Sequence, residues 1–169
     1  GKGYAGAAVL EQGAATARAS KLPVMWWCSL GLPGESKESV EDTLNFIRRH
    51  VRRRDVALCV VGIRIYPGTR LAEIAMREGQ LGAAQDVTAP CFYQPARITL
   101  RDIMNQLHRA QESMPNLMLS TETRMFGWML KAAIYVKRVS RHRYPLWMAV
   151  PYINTVCHAP GRLRHALGR

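Results

Sequence analysis

Two glycine turns are the places in this sequence where residue type and spacing could do chemistry. The first is Leu30–Ser36, LGLPGES, which follows an apolar run and precedes a helical pattern. Glycine-rich strand-to-helix turns let backbone amides approach a ligand closely, and the helix that follows favours an anionic group at its start. The second is Gly62–Thr69, GIRIYPGT, at the end of the next apolar run. There Arg64 and Tyr66 alternate with Ile63 and Ile65, so on extended backbone they point the same way. A guanidinium and a phenol side by side could hold a carboxylate or a ribose. Both motifs also have a plain reading: Gly and Pro make turns, Glu35 can serve its own helix, and Arg64 can pair with a neighbouring Glu while Tyr66 packs.

Other chemistries find no support. The four cysteines, Cys28, Cys59, Cys91 and Cys157, lack the two-to-four-residue spacing of zinc or iron–sulfur ligands. Free thiols in a reducing compartment are the expectation, which places the chain in the cytoplasm. His50, His108, His142, His158 and His165 show no metal spacing with each other or with cysteine. No Gly-x-Ser-x-Gly elbow or Walker-type loop is present, so hydrolase and kinase readings drop out.

The elements that must position the two turns are legible from periodicity and punctuation. Val9, Leu10, Ala14 and Ala17 suggest an opening helix. Pro23–Leu30, PVMWWCSL, is short, continuous and apolar, and predicts a strand buried on both faces. Ser36 can cap a helix in which Val40, Leu44, Ile47 and Val51 form one stripe, with acids early and Arg48, Arg49, Arg52 and Arg53 late. Asp55–Pro67 is a second β-rich run. Thr69 opens a short helix through Glu78 with Leu71, Ile74 and Ala75 inward and Gly79 as its stop. Gln80–Ala96 reads as a long loop. Ile103, Leu107, Ala110 and Met114 mark a helix near Thr99–Met114, Asn116–Ser120 a short strand, and Glu122–Arg141 a further helix.

Alternation of helix and strand is the pattern of βαβ units feeding a parallel sheet. Two clear strands and one weak one are too few for a closed barrel of about eight strands. A sheet of this size leaves an unpaired edge, so the chain is expected to be part of something larger.

Charge is unevenly spread over the 169 residues. The formal net charge is +12, and all twelve acidic residues lie between Glu11 and Glu122. From Arg124 to Arg169 there are nine Lys or Arg, no acid, and six aromatics: Phe126, Trp128, Tyr135, Tyr144, Trp147 and Tyr152. Such a segment is a solvated basic tail or a surface for anionic lipid or nucleic acid. The apolar stretches around Met125–Val136 and Tyr144–Val156 fall short of the roughly 20 residues that a membrane-spanning helix needs.

Taken together, GLPGES, the helix ESVEDTLNFI, GIRIYPGTRLAEIAMREGQL and the loop ending PCFYQP resemble the C-terminal part of radical SAM domains. The likeness is greatest to the class with an upstream cobalamin-binding domain, and it covers about residues 2–95. It implies an α/β fold, a partial (β/α) barrel made of the C-terminal βα units over residues 1–96. Residues 97–169 would form a helical extension, basic and aromatic-rich from about 124. The resemblance further implies S-adenosylmethionine held at the strand ends against a 4Fe–4S cluster, with cobalamin as a further cofactor of the class. It carries over Gly31, Pro33, Gly34, Glu35, Arg64 and Tyr66 as pocket residues. No catalytic residue and no metal ligand transfers, because the C-x3-C-x2-C set of that family is not in this sequence. The expected partner is therefore the N-terminal part of the barrel, and the chain alone is expected to be inactive. The competing expectation is a non-catalytic module whose tail, residues 124–169, meets an anionic membrane face or RNA. In that case the protein would lie peripherally on the inner membrane face.

Overall fold

The computed structural model describes residues 6–81, 89–120 and 147. The expected helix over 122–141, the tail from 124 and both apolar stretches within it lie outside this set, apart from Trp147. Seven elements follow in chain order: α1 (Ala7–Ala19), β1 (Met25–Leu30), α2 (Lys37–His50), β2 (Val56–Val61), α3 (Arg70–Arg77), α4 (Leu100–Gln111) and β3 (Leu117–Leu119). The strands form one open parallel sheet in the order β1-β2-β3. The protein is thus mixed α/β, with a three-stranded parallel sheet and four helices among the described residues.

Local chemistry accounts for the helices. Ser36 accepts from the Ser39 amide at 3.3 Å and the Ser39 hydroxyl accepts from the Ser36 amide at 3.0 Å, a reciprocal cap at the start of α2. Thr69 and Thr99 cap α3 and α4 in the same manner, accepting from the amides of Ala72 and Asp102. Val40, Leu44 and Ile47 of α2 are fully buried, as are Ile103 and Leu107 of α4, where the stripes predicted them. Loss of such a side chain to alanine costs about 2–5 kcal/mol. On α3, Ala72 and Ala75 are the buried residues, with Leu71 and Ile74 partly covered.

The strand order has a consequence for the faces. Each new strand is added on the same side of the last, and right-handed crossovers then place all connecting helices on one face. Burial agrees. Leu30, Ala57, Cys59, Leu117 and Leu119 join the α2 and α4 stripes in one core, with Trp26 and Cys28 packed against it. This core runs without a break across residue 96. The opposite face carries Trp27, Leu58 and Met118, aligned in register across all three strands. Trp27 is 67% exposed and Ser29 is also exposed. The expectation that β1 is buried on both faces is therefore corrected. Its continuous apolar run reflects helices on one side and, on the other, a face on which Trp27 and Ser29 are exposed while Leu58 and Met118 are half-buried and Val56 is fully buried.

The second β-rich run also ends earlier than its composition suggests. Gly62 takes φ +85°, which stops β2 at Val61, and Ile63–Tyr66 turns away. That segment pairs instead with the returning loop: the Ile65 amide donates to the Cys91 carbonyl at 2.8 Å and the Tyr93 amide to the Ile63 carbonyl at 3.0 Å. Ile65, Ala72, Ala75 and Tyr93 form a small second core with α3. Of the expected long loop, residues 82–88 lie outside the described set.

At the start of the strands a polar clamp joins three segments. Asp55 is 1% exposed. It accepts from Arg52 Nε at 2.6 Å, Arg52 Nη2 at 2.9 Å, the Val24 amide at 3.0 Å and the Arg52 amide at 3.2 Å. Arg52 Nη2 also donates to the Leu22 carbonyl at 2.6 Å. Burial pushes the Asp55 carboxyl up, but the guanidinium and the two amides outweigh it, and its pKa lies below the usual value.

Candidate site at the strand ends

Both glycine turns lie at the C-terminal end of the sheet, and the structure brings them into contact. The Gly62 amide donates to the Leu30 carbonyl at 3.0 Å. Gly31 takes φ +89°, and a Cβ placed there would lie 3.2 Å from the Gly62 nitrogen and 2.8 Å from Leu100 Cδ2. No side chain fits at 31 while the two backbones stay this close. Leu100, at the start of α4, roofs the pair.

The turn after β1 is built by its own residues. The Glu35 amide donates to the Leu32 carbonyl at 3.0 Å, with Pro33 and Gly34 (φ +84°) between them, the arrangement of a type II turn. The Glu35 carboxylate folds back: Oε2 accepts from the Gly31 amide at 3.1 Å and Oε1 from the Ser39 hydroxyl. Glu38 accepts from the Ser36 hydroxyl at 2.7 Å. The start of α2 thus already holds two carboxylates, which removes its attraction for a phosphate. The motif that suggests an anion site leaves this first turn suited to an uncharged or cationic group.

Beyond β2, Arg64 and Tyr66 do point the same way, as their alternation predicts. The Arg64 guanidinium carbon lies 5.1 Å from the centre of the Tyr66 ring. Among the described residues Arg64 has no ion pair, so its charge is not spent on a neighbouring Glu. Tyr66 is 56% exposed. Arg64 is bridged antiparallel to Phe92, and Phe92 Cδ1 lies 3.6 Å from where a Gly62 Cβ would stand. Phe92, 47% exposed, links the Gly62 turn to the Arg64–Tyr66 pair. The predicted residues therefore fall into two groups on one rim. Gly31, Pro33, Gly34 and Glu35 form the first turn, and Arg64 and Tyr66 stand beyond Gly62.

Sequence reasoning placed the Gly62 turn on this rim but missed Phe92 and Leu100 as parts of it. A returning loop that pairs with an extended segment leaves no spacing signal. Gln80 and Tyr93 fix that loop. Gln80 Nε2 donates to the Gln94 carbonyl at 2.8 Å, and the Gln94 amide donates to Gln80 Oε1 at 2.9 Å. The buried Tyr93 hydroxyl donates to Glu78 Oε2 at 2.7 Å. Burial, with the Glu78 charge beside it, pushes its pKa up to about 12.

Among the described residues the cysteines are not arranged for a cluster. Cys28 and Cys59 are register partners on the helix-covered face. The Cys59 thiol, raised by its bond to Cys28 and by burial, stays protonated. Cys91 belongs to the second core, and Cys157 lies outside the described residues. Among the described residues no three His, Cys, Asp or Glu side chains gather as metal ligands. The described side chains do not fit an iron–sulfur cluster. Comparison with protein-family models, with curated proteins and with solved structures gives no match.

Proposed function

We infer that this chain is the C-terminal part of a (β/α) barrel of radical SAM type, and that its strand-end rim forms one wall of the S-adenosylmethionine pocket. The observation that carries this reading is the singly wound sheet whose described helix core lies on one face while Trp27 stands exposed on the other. In an open doubly wound sheet, helices cover both faces of parallel strands. Among the described residues the α2 and α4 stripes pack on one side, while Trp27, Leu58 and Met118 line the other in register, as residues inside a barrel would. Among those residues strand β1 also pairs on one edge only.

The rim supports the ligand class. S-adenosylmethionine carries no phosphate, and the carboxylates at the start of α2 disfavour one. Arg64, free of ion pairs among the described residues, would hold the ligand's carboxylate. Tyr66 and Phe92 offer aromatic faces to the adenine, a contact worth about 1–3 kcal/mol. Glu35 acts as a positioning residue that fixes Gly31 and so the close contact of the two turns. The cluster would be carried by the other part of the barrel, and cobalamin, if the enzyme uses it, by a domain outside this sequence.

The test is to read the coding DNA in frame upstream of Gly1, together with adjacent frames, and to express what is found with this chain. A C-x3-C-x2-C set and reductive cleavage of S-adenosylmethionine by the combined protein, weakened by Arg64→Ala, support the reading. A frame and neighbours with no such cysteines sink it.

A further inference from the structure

A second surface lies at the opposite end of the sheet, where the strands begin. We propose that this end docks onto an anionic lipid surface through the loop tip Lys21–Leu22 and the basic residues around it. The loop between α1 and β1 brings Lys21 and Leu22 out to solvent. Leu22 is 65% exposed, and Lys21 has φ +57°, a left-handed conformation that a lysine holds only when its surroundings impose it. They do impose it. The Lys21 amide donates to the Arg18 carbonyl at 3.4 Å, the Leu22 amide to Ser20 Oγ at 3.3 Å, and the Leu22 carbonyl accepts from Arg52 at 2.6 Å. The backbone that carries Leu22 is thus tethered, and its apolar side chain stands exposed.

Cations surround it. Arg18 ends α1, and Arg52 Nη1 reaches the Arg18 carbonyl at 3.4 Å, so the end of α1 meets the end of α2. Arg49, Arg53 and Arg54 are exposed on that side. Two of the acids there are engaged, while Glu112 at the C-cap of α4 is exposed on the same end of the sheet. Glu11 lies 2.9 Å from His50 Nε2 and 3.9 Å from Arg49, and Asp55 is buried against Arg52. The field left over is positive.

The leucine at the tip decides between polyanions. A nucleic acid backbone would gain from the cations but nothing from Leu22, and the one aromatic ring named here, His50, is mostly buried against Phe46. A lipid interface takes both, with cations among the headgroups and the apolar tip at the acyl boundary. The surface is distinct from the rim, which lies at the other end of the strands and would face away from the bound membrane.

The experiment uses the full chain and vesicles of phosphatidylcholine, with or without about 30% phosphatidylglycerol, near physiological ionic strength. Binding should require the anionic lipid. Arg53→Ser/Arg54→Ser should weaken it by about 25-fold, at about fivefold for each cation. Leu22→Ser should weaken vesicle binding several-fold and leave binding to a single-stranded RNA oligonucleotide unchanged. Hydrogen exchange on vesicles should slow in residues 18–24 and 48–54. The proposal is overturned if the wild-type chain ignores anionic vesicles, if both variants bind as it does, or if protection is confined to residues 124–169.

Discussion

Replacing Asp55 by Ala should destabilise the fold by about 3–5 kcal/mol, the usual cost of removing one partner of a buried ion pair. The geometry supports that range. Asp55 accepts four hydrogen bonds, two of them charge-assisted from the Arg52 guanidinium at 2.6 and 2.9 Å and the others from the Val24 and Arg52 amides. Without it the Val24 amide before β1 loses its acceptor, and Arg52 keeps only carbonyl partners. Asp55→Asn retains the shape but not the charge and should cost about half as much. The pH dependence has a definite sign. The folded pKa of Asp55 lies below its unfolded value of about 3.9, so the unfolded chain takes up the proton first as pH falls. The stabilisation is full above that pH and is lost as pH drops toward the folded pKa. Urea unfolding followed by tryptophan fluorescence should therefore show a constant gap between wild type and Asp55→Asn from about pH 5 to 8, narrowing below about 4. A cost under about 1 kcal/mol for Asp55→Ala, or a gap that does not narrow in acid, would refute the clamp.

Three further outcomes follow from contacts described above. Gly31→Ala should cost about 2–4 kcal/mol, adding left-handed strain to the crowding by Leu100 and the Gly62 backbone. Gly34→Ala, with open space around it, should cost about 1 kcal/mol, and chemical denaturation separates the two. Tyr93→Phe should remove a phenol that ionises near pH 12 from the ultraviolet titration and cost about 1 kcal/mol at neutral pH. Because the raised pKa favours the neutral phenol in the fold, this contribution is complete below about pH 10 and fades as pH rises through 12. Trp27→Ser should change the stability of the chain by less than about 0.5 kcal/mol, since the ring is mostly exposed. It should nevertheless block assembly with the other barrel part, as read by co-purification.

The helices were legible because capping and apolar spacing are local: Ser36 and Thr69 stand at the caps their sequence context predicts, and the helix expected near Thr99 begins one residue after it. The Pro-Gly turns were legible for the same reason, since Gly34 and Gly68 take the positive φ that follows proline in such turns. Local signals do not report which face of a strand is covered, so β1, rich in tryptophan, read as doubly buried. Nor do they report where a β-rich run ceases to belong to the sheet. A single glycine at 62 redirects Ile63–Tyr66 to pair with residues some 30 positions later, and only the fold reveals Phe92 as the link across the rim. Arg52 was legible as a charge suited to the end of α2, whereas its principal partner, Asp55, lies three residues beyond and points inward.

The small core around α3 bears on how quickly the molecule can assemble. β1 and β2 pair residues 31 positions apart, as Met25 with Val56, but β2 and β3 pair residues 60 apart, as Ala57 with Leu117. Closing the longer loop on its own is entropically dearer and slower. If residues 63–93 first fold on themselves, through the Ile63–Tyr93 pairing and the Tyr93–Glu78 bond, the span left to close is much shorter. The excursion that carries half of the rim thereby acts as a pre-tied loop. Weakening it should slow the arrival of β3 in refolding as well as loosening Arg64 and Tyr66, coupling the kinetics of the sheet to the integrity of the site.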